Sequence, residues 1–154
     1  MLPAPRFLTA AALAVAVFAA VIASPRPGQG RDQVLSLIST RQTTLGQPIV
    51  YPTEGPAKVA AAIVTMQPGE ETGWHQHDVP MFGYVLKGEV MVDYGTKGSH
   101  VYRQGDALVE AVDVPHNGRN TGKGEARILS VFMGAEGVPD AEMLPQHPAT
   151  AAPQ

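Results

Sequence analysis

The chain has 154 residues, no cysteine, and 11 Lys and Arg against 14 Asp and Glu, for a formal net charge of −3. Without thiols there is neither a disulfide scaffold nor a thiolate metal site, and without a dense basic run nothing marks a nucleic-acid surface. The length suits one domain with a core of ordinary size.

Residues 1–23 differ from the rest: one Arg precedes an apolar, alanine-rich run over residues 7–23. This resembles a secretory signal, with Ala23 before Ser24 as the expected cleavage point. As a helix the run would span roughly 25 Å, short of a ~30 Å hydrocarbon core. The expectation is an exported protein, periplasmic or secreted, with the segment removed. The alternative is an uncleaved anchor, which would then be the chain's only membrane contact. No cysteine follows the run, so a bacterial lipid anchor is excluded.

Residues 24–40 read as a linker or N-terminal extension, opening with "SPRPGQG". Residues 34–39 ("VLSLIS") fit either a helical turn or a first strand. The domain proper is expected over residues 41–137. Short β-favouring runs follow one another at residues 58–66, 81–86, 89–94, 99–103, 106–112 and 126–133, separated by Gly-containing turns. This spacing argues for an all-β sandwich or barrel. No internal repeat is present, which argues against a propeller. Residues 138–154, rich in Pro and Ala, read as a flexible tail with His147 a bystander.

The stretch "GWHQHDVPMFGYVLKG" carries the chemistry. Alternation along a strand puts His75 and His77 on one face, about 6 to 7 Å apart. A lone H-x-H is weak evidence, since a barrel can hold such a pair by hydrogen bonding alone. Its surroundings add weight: Gly69 precedes it, Gly88 follows it, and Gly105-Asp106 leads on to His116 and Asn120.

At these residues the chain resembles the cupin superfamily. The two halves match its motifs G-x5-H-x-H-x3-E-x6-G and G-x5-P-x-G-x2-H-x3-N, which with the linking strands cover most of residues 58–133. The resemblance implies a double-stranded β-helix, or jelly roll, holding a divalent metal (Fe, Mn, Zn or Ni) through His75, His77 and His116. Three positions depart from it. The Glu of the first motif falls on Met81, and the Pro and Gly of the second fall on Ala111 and Asp113.

Three neutral imidazoles would leave a divalent ion its full charge and open positions, the condition of a catalytic centre, suited to an anionic or chelating small molecule. Some cupins that resemble this arrangement, such as diketone-cleaving and thiol dioxygenases, use three histidines with iron. Asp78, Glu71 and Glu110 are candidates to replace the missing carboxylate, and each reads first as a solvated surface residue. The Met81 thioether would suit copper, although a gap-filling role is the simpler reading.

The remaining residues have plain readings. Trp74 alternates away from the histidines toward the core or a subunit contact. Phe82 and Tyr84 share a face and read as core. Arg119 reads as a solvated loop residue, Asn120 as the start of a turn rather than a partner of His116, and His100 as exposed. No catalytic residue beyond the histidines can be named. Three functions stay open: a metal-dependent enzyme of dioxygenase, isomerase or lyase type, a non-catalytic binding module, and a structural domain. A homodimer is expected, because a lone jelly roll leaves a sheet edge open.

Overall fold

In the computed structural model, residues 33–145 are described, so the signal-like segment, residues 24–32 of the linker and His147 lie outside the described residues. Nine strands follow one another: β1 (Ala57–Met66), β2 (His75–Gln76), β3 (Met81–Lys87), β4 (Glu89–Asp93), β5 (Ser99–Arg103), β6 (Ala107–Val109), β7 (Asn117–Asn120), β8 (Ala126–Ala135) and β9 (Glu142–Met143). They form a four-stranded sheet in the order β1-β8-β3-β6, a three-stranded sheet β5-β4-β7, and the pair β2-β9. All pairings are antiparallel. Among the described residues there is no α-helix, only a 3-10 turn at Gly95–Lys97.

The expected runs form where β-branched and aromatic residues alternate with polar ones. On β3 the pattern is strict, with Met81, Gly83 and Val85 buried and Phe82, Tyr84 and Leu86 half-buried. This reverses the sequence reading of Phe82 and Tyr84 as core: the inward face belongs to Met81, Gly83 and Val85. The reason is register, since Met81, Gly83 and Val85 stand opposite Phe132, Ser130 and Ile128, whose side chains face the interior cavity.

The β3–β4 connection depends on Gly88. Its φ of +79° suits glycine, and a Cβ there would lie 2.8 Å from the Glu125 carbonyl oxygen and 2.9 Å from the Ala126 Cα. The two larger sheets close on one another through a shared apolar cluster. Met66 and Ala126 come from one sheet, Val90 and Val92 from the other, and Tyr94, Ala111 and Val114 from the connections. This is the jelly-roll β-barrel expected from the sequence.

Four segments differ from expectation. Residues 34–39 form neither helix nor strand, and Val34 and Leu35 are exposed. In the run at 106–112 the strand covers only Ala107–Val109, and Asp113 then takes a positive φ. Arg119 and Asn120 stand on β7 rather than in a loop. The tail begins later than Val138, because Glu142–Met143 pair with His75–Gln76 and the Leu144 N–H donates to the Trp74 carbonyl at 2.8 Å.

Candidate metal centre

His75 opens β2, His77 follows it, and His116 stands just before β7. These segments are distant in sequence and are joined by a backbone pair: the His75 N–H donates to the His116 carbonyl at 2.9 Å, and the His116 N–H donates back at 2.8 Å. Two of the three rings are thereby fixed opposite one another. His77 reaches the same face by strand alternation.

Each ring is oriented by its own backbone acceptor. The Nδ1 atoms lie 2.9 Å from the Gly73 carbonyl for His75, 3.0 Å from the Asp140 carbonyl for His77, and 2.8 Å from the Val114 carbonyl for His116. A carbonyl oxygen only accepts, so Nδ1 carries the proton and Nε2 keeps its lone pair. Asp140 belongs to the stretch read from sequence as a loose tail, yet it holds His77.

The rings pack with centroids 4.4 to 5.0 Å apart, and one ligating atom from each lies within 4.8 Å of the others. Nitrogens bound to one divalent ion at about 2.1 Å can stand no more than about 4.2 Å apart. The three are therefore close to a ligating set, and the group is competent to hold an ion.

Burial keeps the rings neutral. Desolvation is the main cause of a lowered pKa at all three, and for His77, with His116 and His75 adding to it, the value falls to about 3. Neutral imidazole is the ligating form, so the electrostatics agree with the geometry.

The histidines sit on the wall of a cavity of about 320 Å³. Val64, Val85, Val92, Leu108 and Ile128 make much of its surface apolar, and Phe132 presents its ring to His77 at 5.4 Å between centroids. Met81 also lines it and is 7% exposed, so the residue in the carboxylate's motif position does face the site.

The three carboxylate candidates separate clearly. Glu71 is a surface residue, paired with Arg119 at 3.7 Å and accepting from Asn117 Nδ2 at 2.9 Å. Asp78 does not line the cavity. Glu110, read from sequence as a solvated carboxylate, is 3% exposed and lines the cavity. Its Oε1 accepts from the Tyr94 hydroxyl at 2.6 Å and from the Ala111 N–H at 2.8 Å, and its Oε2 lies 4.0 Å from His116 Nε2. Burial pushes its pKa up and outweighs those two hydrogen bonds. A signal was present in the sequence, because the alternation that turns Leu108 inward also turns Glu110 inward.

The other readings resolve simply. Trp74 is half-buried and does not line the cavity, and His100 is exposed. Asn120 is buried and serves the turn, its Oδ1 accepting from the Gly122 N–H at 2.9 Å.

Residues 62–132 match the family model described as Cupin domain. The chain carries a cupin domain. An oxalate decarboxylase from Lactobacillus farciminis, solved as a formate complex, shares this fold at a TM-score of 0.50 and 24% identity, over 56% of this chain and 26% of that one. A point mutant of the oxalate decarboxylase from Bacillus subtilis gives 0.49 and 21%, over 56% and 24% of the two chains. A structure from work on DMSP lyases gives 0.48 and 20%, over 56% and 44%. The matched region therefore spans about a quarter of the oxalate decarboxylases. No curated protein matches the chain. At 24% identity the likeness to the Lactobacillus farciminis structure shows the fold alone, and the chemistry must be argued from the site.

Proposed function

We propose that this cupin is a small exported metalloenzyme in which His75, His77 and His116 bind one divalent ion (Fe, Mn, Zn or Ni) and that it acts on a small anionic, metal-chelating substrate. The observation that carries the reading is the convergence of three neutral imidazoles, Nε2 inward, on the wall of an apolar cavity. An ion held there would supply Lewis acidity to a coordinating oxygen or sulfur anion. The chain's own residues do the rest. The backbone carbonyls of Gly73, Asp140 and Val114 fix the rings, and the valine and leucine walls exclude water and accept a short hydrocarbon body.

Metal analysis of the purified protein tests the centre. A stoichiometric ion is expected, with its affinity lowered at least about 100-fold in His75→Ala or His116→Ala. Oxygen uptake and product formation against diketones, thiols and hydroxy acids then test catalysis. Bound metal without turnover would favour a binding module instead.

Export rests on the apolar run at residues 7–23, which lies outside the described residues; among those described, no helix is long and apolar enough to cross a membrane. N-terminal sequencing of exported protein should find a start near Ser24.

A homodimer is supported by the outer face of the four-stranded sheet. The edge strand β1 presents Val59 and Ile63 there, 71% and 50% exposed, and the ladder places them opposite Met133 and Leu129. Val59→Glu with Ile63→Glu should convert a dimer to a monomer in light scattering; a wild-type monomer would refute the pairing.

A further inference from the structure

We propose that Glu110 supplies the carboxylate donor that the first motif lacks at Met81, delivered from the neighbouring strand. This rests on the reading that the three histidines hold an ion, and it completes their donor set.

The ladder makes the two positions equivalent. Phe82 pairs with Val109 across β3 and β6, and the Glu110 N–H continues that register by donating to the Met81 carbonyl at 2.8 Å. Met81 and Glu110 therefore stand opposite one another with side chains on one face, and both line the cavity. Directly opposed residues of an antiparallel pair have Cβ atoms about 4.5 to 5.5 Å apart. A carboxylate lost from one can thus be offered to nearly the same point by the other.

The side chain is held for such a role. Tyr94 and the Ala111 N–H both occupy Oε1, so Oε2 is the oxygen left on the histidine side, 4.0 Å from His116 Nε2. Two donors sharing one divalent ion at about 2.1 Å each can lie up to about 4.2 Å apart, a limit that Oε2 meets toward His116. The mutually close set is His75, His77 and His116 without Glu110, so ligation requires the carboxylate to shift toward the other two rings. Charge argues the same way. Among the described residues no Lys or Arg pairs with Glu110, which is 3% exposed. Ionised, a carboxyl buried beside no Lys or Arg needs a countercharge, and a divalent ion is one the site has room for. A carboxylate ligand would leave the ion one net positive charge, still attractive to an anionic substrate.

The test uses the full chain and Co(II), whose visible absorption reports its donors. Affinity is measured by chelator competition in the wild type, Glu110→Gln, His116→Ala and the exchange Met81→Glu/Glu110→Met, with circular dichroism confirming folding. Glu110→Gln keeps an acceptor for Tyr94 and should lower affinity about 10- to 100-fold with an altered spectrum. The exchange should recover most of that loss. Wild-type affinity and an unchanged spectrum in Glu110→Gln would overturn the assignment and leave the histidine centre standing. A wild-type chain that takes up no Co(II) would remove the centre and this assignment together. Should Glu110→Gln fail to fold, the exchange variant decides: wild-type-like Co(II) binding supports the equivalence of the two positions, and none overturns it.

Discussion

Asp113 is the only non-glycine among the described residues with a positive φ, at 53°. It occupies the position where the second motif carries glycine, so the departure seen in the sequence leaves the backbone conformation in place and changes only what adopts it. Asp is one of the few L-residues that tolerates this region, at a cost of about 1 kcal/mol. The loop is fixed regardless, because the Asp113 N–H donates to the His77 carbonyl at 2.9 Å. Asp113→Gly relieves that backbone cost but adds about 0.5–1 kcal/mol of unfolded-chain entropy, so a net gain of no more than about 0.5 kcal/mol is expected, read as a urea midpoint unchanged or slightly raised. A lowered midpoint would mean that the Asp side chain contributes more than its backbone costs. At this scale the sequence was informative where spacing alone decides. His75, His77 and His116 are brought together, and Met81 faces the cavity as the motif count required. For Glu110, alternation from Leu108 shows only that it turns inward; its place beside Met81 depends on the pairing of two strands, which alternation does not specify.

The strands divide in the same way. Runs such as β1 and β8, ten residues each, carry alternating Val, Ile and Leu and were legible within one or two residues of their ends. β2 and β9, two residues each, exist only because each finds the other, and β7 has the sequence "NGRN", with no residue that favours strands. β7 forms because β4 offers a ladder from Val90 to Asp93 and because Asn120 secures its end. The Asn120 Nδ2 donates to the Met66 carbonyl at 2.9 Å and to the Gly124 carbonyl at 2.8 Å, in a side chain that is 1% exposed. One residue thus ties β1, β7 and the following turn together, close to the strand that carries His116 into place. Asn120→Ala removes the partner of the buried Met66 carbonyl and of two less buried groups of the turn, the Gly124 carbonyl and the Gly122 N–H, and should cost about 1–3 kcal/mol. Calorimetry would show this as a lower Tm. A loss below about 1 kcal/mol would mean that β7 is held by its ladder alone.

For the whole molecule, burying three neutral imidazoles links stability to pH in a definite direction. In the unfolded chain His77 titrates near 6.5, whereas in the folded metal-free protein it does so at about 3. Between those values the unfolded state binds a proton that the folded state refuses, so unfolding is favoured as pH falls. His75 and His116, also lowered by desolvation, act with the same sign. Glu110 acts against them, because burial raises its pKa above 4.5 and the folded state takes up its proton first, adding stability as pH falls through that raised value. The histidine contribution can be isolated at His77, whose folded and unfolded values are far apart. The stabilisation from His77 is fully present above about pH 6.5, and about 2 kcal/mol of it is lost between pH 7 and pH 5. Urea unfolding of the metal-free protein at several pH values measures this, and His77→Gln should flatten the slope. An undiminished slope in that variant would place the proton uptake elsewhere. In the metal-loaded protein the buried Nε2 of His77 stays unprotonated down to about pH 3, so the ion should be released only as the barrel unfolds, and its release should coincide with the fall in stability. That coincidence would tie the stability of the barrel to the occupancy of its centre.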